Sequence, residues 1–290
     1  MLVALNLPNY GVLGTRDAVV SIAEAAEGLG YESVWTTDHV LVPNSLPADF
    51  FASMLESLVT LSFIAARTGR IGIGTGILVL PQRDPVLVAK QAATLQYLSG
   101  GRLSLAVAVG YVEREYEFLR APFKRRGALL DEYLPAVRQL LEAEKPSFHG
   151  SSIEFDEVYF SPRPATRVPL FVGGGSPASL RRAATLGDGW YALKQTPGQI
   201  EAGLAEMREY QLPPGFQTSL RVATRVGGPV PDAVPGQALE GTVAEVAAAA
   251  DAFARAGVDR LVIEPVADDL DDFMDQLRRF KGDVVPLLSR

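Results

Sequence analysis

Two short segments carry residue types that could do chemistry. The first is Gly173-Gly174-Gly175-Ser176-Pro177, directly after the apolar run Leu170–Val172. Ser176 followed by Pro177 is the cap and first-turn pair that opens a helix. Three glycines let a ligand reach the backbone, and free N–H groups at a helix start attract an anion such as phosphate. Ser179 and Ala178 would lie in that first turn. A turn needing left-handed backbone would use the same glycines. The agreement of strand, glycines, cap and proline favours the anion site. The G-x-G-x-x-A spacing of Gly173, Gly175 and Ala178 is by itself a weak signal. No acidic residue stands at the distance a dinucleotide fold requires.

The second segment is Asp38-His39. The chain has only two histidines. An imidazole titrates near neutral pH, so His39 could act as general acid or base, with Asp38 orienting it or binding a ligand amide. A loop histidine that caps backbone groups is the alternative. His149 stands in a different segment, and no spacing supports a metal site. A third stretch, Gly72-Ile73-Gly74-Thr75-Gly76-Ile77-Leu78, places glycines inside a strand. That pattern marks a bulge, a close approach to a ligand, or tight packing. The chain has no cysteine. Thiolate chemistry, disulfides and iron–sulfur clusters are therefore excluded. No Walker loop, G-x-S-x-G elbow or H-E-x-x-H occurs.

These segments sit on a repeating pattern in which a short apolar run precedes an amphipathic stretch, over and over. Strands are expected at Leu2–Leu7, Tyr31–Thr36, Ile71–Leu80, Leu103–Val109, Leu170–Val172, Gly189–Leu193, Ser219–Val226 and Asp259–Glu264. Helices are expected at Asp17–Leu29, Ala52–Arg67, Pro85–Leu98, Ala128–Ala143, Pro177–Leu186, Gly198–Tyr210, Thr242–Ala256 and Leu270–Phe280. Eight strand-then-helix units predict an α/β fold, a closed (β/α)8 TIM barrel. An open doubly wound sheet is the alternative. Two stretches break the rhythm: 146–169, with a small hairpin, and 227–241, rich in Gly and Pro and expected to be a loop. Both are read as insertions in one barrel domain spanning 1–290. Barrel enzymes work at the C-terminal ends of their strands. Asp38-His39 and Gly173–Ser176 both fall at such ends, as do Gly110-Tyr111 and Lys194.

The 290 residues include 48% hydrophobic and 21% charged side chains, the profile of a globular domain with a large core. The net charge of −7 gives no overall attraction to nucleic acid or anionic membrane. Basic clusters are short: Lys124-Arg125-Arg126 and Arg181-Arg182. No signal peptide or spanning segment is expected, and the absence of cysteine fits a cytoplasmic protein.

Several segments together resemble the bacterial luciferase-like superfamily. They are Gly30-Tyr31-Glu32-Ser33-Val34-Trp35-Thr36-Thr37-Asp38-His39, Ile73–Pro85, Leu98–Arg102, and Val172–Ser176 through Gly187–Trp190. The resemblance runs over essentially the whole chain. It is closest to the branch that uses the deazaflavin coenzyme F420. It implies a (β/α)8 barrel with insertions, a homodimer, and a non-proline cis peptide near Gly76-Ile77 supporting one face of the ring. Such a bond costs about 3–4 kcal/mol and must be held by its surroundings. It further implies that Gly174, Gly175, Ser176, Ala178 and Ser179 meet the cofactor phosphate and that Val109 and Gly110 line the ring. Asp38 and His39 match positions that contact the ring and move a proton. Where sugar-phosphate dehydrogenases of the branch carry a catalytic Glu, this chain has Tyr111. A sugar phosphate substrate is therefore not implied; Tyr111 could donate a hydrogen bond to a substrate carbonyl.

The expected function is hydride transfer between F420 and a small organic substrate, with His39 handling the proton. Arg181, Arg182 and Lys194 are candidates for the cofactor's phosphate or acidic tail. Two alternatives stand beside it: an FMN-dependent monooxygenase served by a separate reductase, and a non-catalytic flavin-binding relative.

Overall fold

The computed structural model describes residues 1–48 and 53–288. Eight parallel strands close into a barrel. In chain order they are β1 (Leu2–Leu7), β2 (Ser33–Thr36), β3 (Gly72–Val79), β4 (Leu103–Ala108), β7 (Leu170–Gly173), β8 (Gly189–Leu193), β9 (Gln217–Val226) and β11 (Arg260–Pro265). Each pairs with the next in that order, and β11 returns to β1. This is the (β/α)8 barrel that the eight units predict.

The helices are α1 (Arg16–Gly28), α2 (Ser57–Arg67), α3 (Pro85–Leu98), α4 (Glu113–Phe118), α5 (Arg126–Glu142), α6 (Pro177–Leu186), α7 (Pro197–Met207), α8 (Val243–Arg255) and α9 (Leu270–Arg279). Their starts follow local chemistry. The Asp84 carboxylate accepts from the Leu87 N–H at 2.9 Å, and Pro85 fills the first helical position. The threonines ahead of α7 and α8, Thr196 and Thr242, close capping boxes with Gln199 and Glu245. On α1, Ala18, Val19, Ile22, Ala23 and Ala26 are buried at helical spacing against the sheet.

Two apolar layers result. The larger fills the space between strands and helices. The smaller fills the barrel interior with Ala4, Trp35, Ala106, Phe171, Tyr191 and Val262. Phe171 meets Trp35 edge-on with ring centres 6.0 Å apart.

Three local expectations change. The helix predicted from Ala52 begins at Ser57, capped by Glu56; Ala52 itself lies outside the described residues. Stretch 227–241 contains a strand, β10 (Ala238–Gly241), paired parallel with the end of β9. Its Gly-rich approach hides four residues whose backbone finds a ladder. Helix α4 was not expected, because its Glu-Arg-Glu-Tyr-Glu run carries too little apolar pattern. Stretch 146–169 holds the expected hairpin, β5 (Phe148–His149) against β6 (Glu154–Phe155). Among the described residues no helix is long and apolar enough to cross a membrane.

Candidate active site

The strand ends form a bowl with an apolar side and a polar side. On the apolar side, β3 bulges between Thr75 and Leu78 where it pairs with β4. The Gly76–Ile77 peptide is cis, where the resemblance places it. Ile77 packs onto the interior apolar layer while staying half-buried, so it forms a shelf at the mouth. Gly173 leaves room for it only because it lacks a side chain. A Cβ on Gly173 would stand 2.2 Å from Ile77 Cδ1. Gly76 has the same constraint from below: its Cβ would meet the Tyr191 hydroxyl at 2.3 Å. Val109 and Gly110 continue the shelf at the end of β4, both half-buried.

The glycine loop adjoins this shelf. Gly174 has φ +114°, and a Cβ there would meet Ser179 Oγ at 2.7 Å. Its carbonyl accepts from the Trp190 indole N–H at 2.6 Å. Gly175, Ser176 and Ala178 are exposed. Ser179 plays a different part. It is buried, its N–H donates to Ser176 Oγ at 3.2 Å, and its hydroxyl shares a hydrogen bond with the Ser176 hydroxyl. It shapes the helix start from beneath.

His39 follows β2. Its Nδ1 stands 2.9 Å from Glu115 Oε2, and its ring meets the exposed Tyr111 ring edge-on at 5.9 Å. Asp38, beside it in sequence, turns inward. Its Oδ2 accepts from the Val79 N–H at 2.9 Å, and its Oδ1 from Arg83 at 2.7 Å. Burial raises its pKa, opposed by Arg83 and the Val79 bond. Both oxygens hold the end of β3.

The polar side of the bowl was not foreseen from sequence. Arg221 on β9 pairs with Glu264 on β11 and is buried. Its Nη1 donates to Thr37 Oγ1 at 2.7 Å and to the Gly76 carbonyl at 3.2 Å. The Tyr10 hydroxyl donates to Glu264 Oε1 at 2.5 Å. Burial works against ionisation of Glu264, but Arg221 and Tyr10 outweigh it and hold the carboxyl below its usual range. Lys194, exposed at the end of β8 with φ +50°, lies close enough to add to that effect. Arg181 and Arg182 both meet a carboxylate of the neighbouring helix. Arg182 is buried and bidentate to Asp131 of α5, at 2.7 and 3.1 Å; Arg181 reaches the same carboxylate at 3.3 Å. Both tie α6 to α5.

Residues 6–227 match the luciferase-like monooxygenase family. The chain belongs to that family. An uncharacterised protein of Mycobacterium tuberculosis is 32% identical over 211 residues, covering 67% of this chain and 74% of the relative. The F420-dependent glucose-6-phosphate dehydrogenase of Kineococcus radiotolerans is 27% identical over 327 residues, covering 93% of this chain and 92% of the relative. Among solved structures, the fold superimposes on an F420-dependent secondary alcohol dehydrogenase bound to an F420–acetone adduct, with TM-score 0.83, 19% identity and coverage of 100% and 99%. It also superimposes on the FMN-bound oxygenating constituent of 3,6-diketocamphane monooxygenase from Pseudomonas putida. That match has TM-score 0.79, 13% identity and coverage of 100% and 99%.

Proposed function

We propose that this luciferase-like protein is an F420-dependent oxidoreductase acting on a small organic substrate. One observation carries the reading. An apolar shelf cleared of side chains, Ile77 with Gly173 and Gly110, adjoins a side-chain-poor loop at a helix start, Gly174–Ser176, with His39 at the β2 end. That pairing fits a flat ring carrying a phosphate. When bound, F420 supplies the hydride donor or acceptor. Ile77, Val109 and Gly110 would bed the ring. Gly174, Gly175, Ser176 and Ala178 would hold the phosphate through backbone groups, and Lys194 the acidic tail. His39 would take or give the substrate proton, and Tyr111 would donate a hydrogen bond to the substrate.

The F420-named relatives support this cofactor, and the FMN-bound structural neighbour supports the monooxygenase reading. Separate titration of F420 and FMN into the purified protein decides between them. Tight FMN binding with no F420 binding overturns the proposal. If F420 binds, His39→Ala should lower kcat by about 10²–10⁴-fold with the fold intact. A homodimer is also proposed: the neighbouring helices α2 and α3 expose Val59 and Phe63, and Leu87, Tyr97 and Leu98, and light scattering tests it.

A further inference from the structure

Glu115 comes from α4, 76 residues along the chain from His39, and is buried. Its two oxygens have separate tasks. Oε2 faces His39 Nδ1 at 2.9 Å. Oε1 accepts the backbone N–H of Val40 at 2.6 Å and of Leu41 at 3.2 Å. Burial opposes its charge, but the bonds from His39, Val40 and Leu41 keep the carboxyl below its usual range. An ionised carboxylate can only accept hydrogen bonds. Nδ1 must therefore be the donor, and the neutral ring carries its proton there.

We infer that Glu115 is a positioning residue that fixes the orientation and tautomer of His39, so that proton transfer runs through Nε2. This rests on the proposed role of His39. In the oxidative direction, a C–H hydride leaves the substrate for F420, its X–H proton passes to Nε2, and a C=X bond forms. The reverse reaction returns the proton from Nε2. A ring free to choose the other tautomer would present Nε2–H and could not accept that proton.

Glu115→Gln makes a sharp test. Two backbone donors hold the Oε1 position, so the amide oxygen stays there and the NH₂ group turns to Nδ1. The ring must then move its proton to Nε2. ¹⁵N imidazole spectra of the full chain should show Nδ1–H in the wild type and Nε2–H in the variant. F420 affinity and KM should stay within a few-fold, while kcat falls about 10²-fold or more. Glu115→Asp keeps an acceptor and should recover part of the loss. An Nε2–H ring in the wild type overturns the assignment, even where the Gln variant fails to fold. So does wild-type kcat in a folded Glu115→Gln. Undiminished kcat in His39→Ala, with Nδ1–H in the wild type, instead overturns the proton-transfer reading and the Nε2 route with it.

Discussion

Trp190 and Gly174 are joined by a hydrogen bond of 2.6 Å from the indole N–H to the glycine carbonyl. It fastens the loop after β7 to a residue buried in β8. Trp190→Phe keeps most of the buried ring and removes the donor. The freed carbonyl should cost about 1–3 kcal/mol of stability. F420 affinity should fall several-fold as the loop slackens, measured by fluorescence titration. Unchanged affinity would mean that the loop needs no such tether.

Gly174→Val should weaken F420 binding by tenfold or more while the protein still folds. The φ of +114° is unfavourable for a branched side chain, and its Cβ would press on Ser179 Oγ. Circular dichroism separates a folded variant from a collapsed one. Intact affinity in a folded variant places the phosphate elsewhere.

Arg182 and Lys194 should separate cleanly. Arg182→Met breaks a bidentate contact with Asp131 and should lower stability by about 1–3 kcal/mol. It should leave the salt dependence of F420 binding as it is. Lys194→Met should do the opposite, reducing affinity most at low salt, because screening weakens attraction to an exposed cation. Equal effects from both would sink the placement of the tail on β8.

Much of the fold was legible because buried strands and amphipathic helices leave periodic traces. Leu103, Leu105 and Val107 are all buried in β4 as their pattern predicts. The polar half of the bowl left fainter traces. Arg221 stands in the apolar run Leu220-Arg221-Val222, where a lone charge reads as an interruption rather than as half of a pair with Glu264. Its partner is 43 residues away, and only barrel closure brings the two together. A charged residue inside a strand buried on both faces was the available signal, since such residues are almost never buried unpaired. Glu115 hid for another reason. It lies among Glu113, Arg114 and Glu117, a run that looks solvated, yet it alone of these is buried. Asp38 and His39 are adjacent in sequence, yet their hydrogen bonds run to different elements, Asp38 to the end of β3 and His39 to α4.

Removing half of the Arg221–Glu264 pair should be costly. Arg221→Met leaves a carboxylate without its main partner and takes donors from Thr37 Oγ1 and the Gly76 carbonyl. A loss of about 3–5 kcal/mol is expected from urea unfolding. A loss under about 1 kcal/mol would show that water replaces the pair.

The same pair sets a pH response. The folded state holds Glu264 below its usual range, whereas an unfolded Glu titrates near about 4.3. Folding therefore favours the charged form. The stabilisation is full above about pH 4.3 and is lost as pH falls through the lower folded value. Glu264→Gln should flatten this acid limb in unfolding curves taken between about pH 5 and 2. An unchanged slope would exclude Glu264 as its source.

β9 overhangs its neighbour β8 at the mouth of the bowl. Its last partner on β8 pairs with Arg221, yet the strand runs on to Val226, and β10 takes over along that edge from Ala223. Those five further residues extend about 16 Å. β9 therefore stands well past its β8 neighbour, and β10 lines the extension. Where the edge changes hands, Lys194 turns away with its left-handed backbone. The wall there resembles the spout of a jug, with a cation standing at the pouring point.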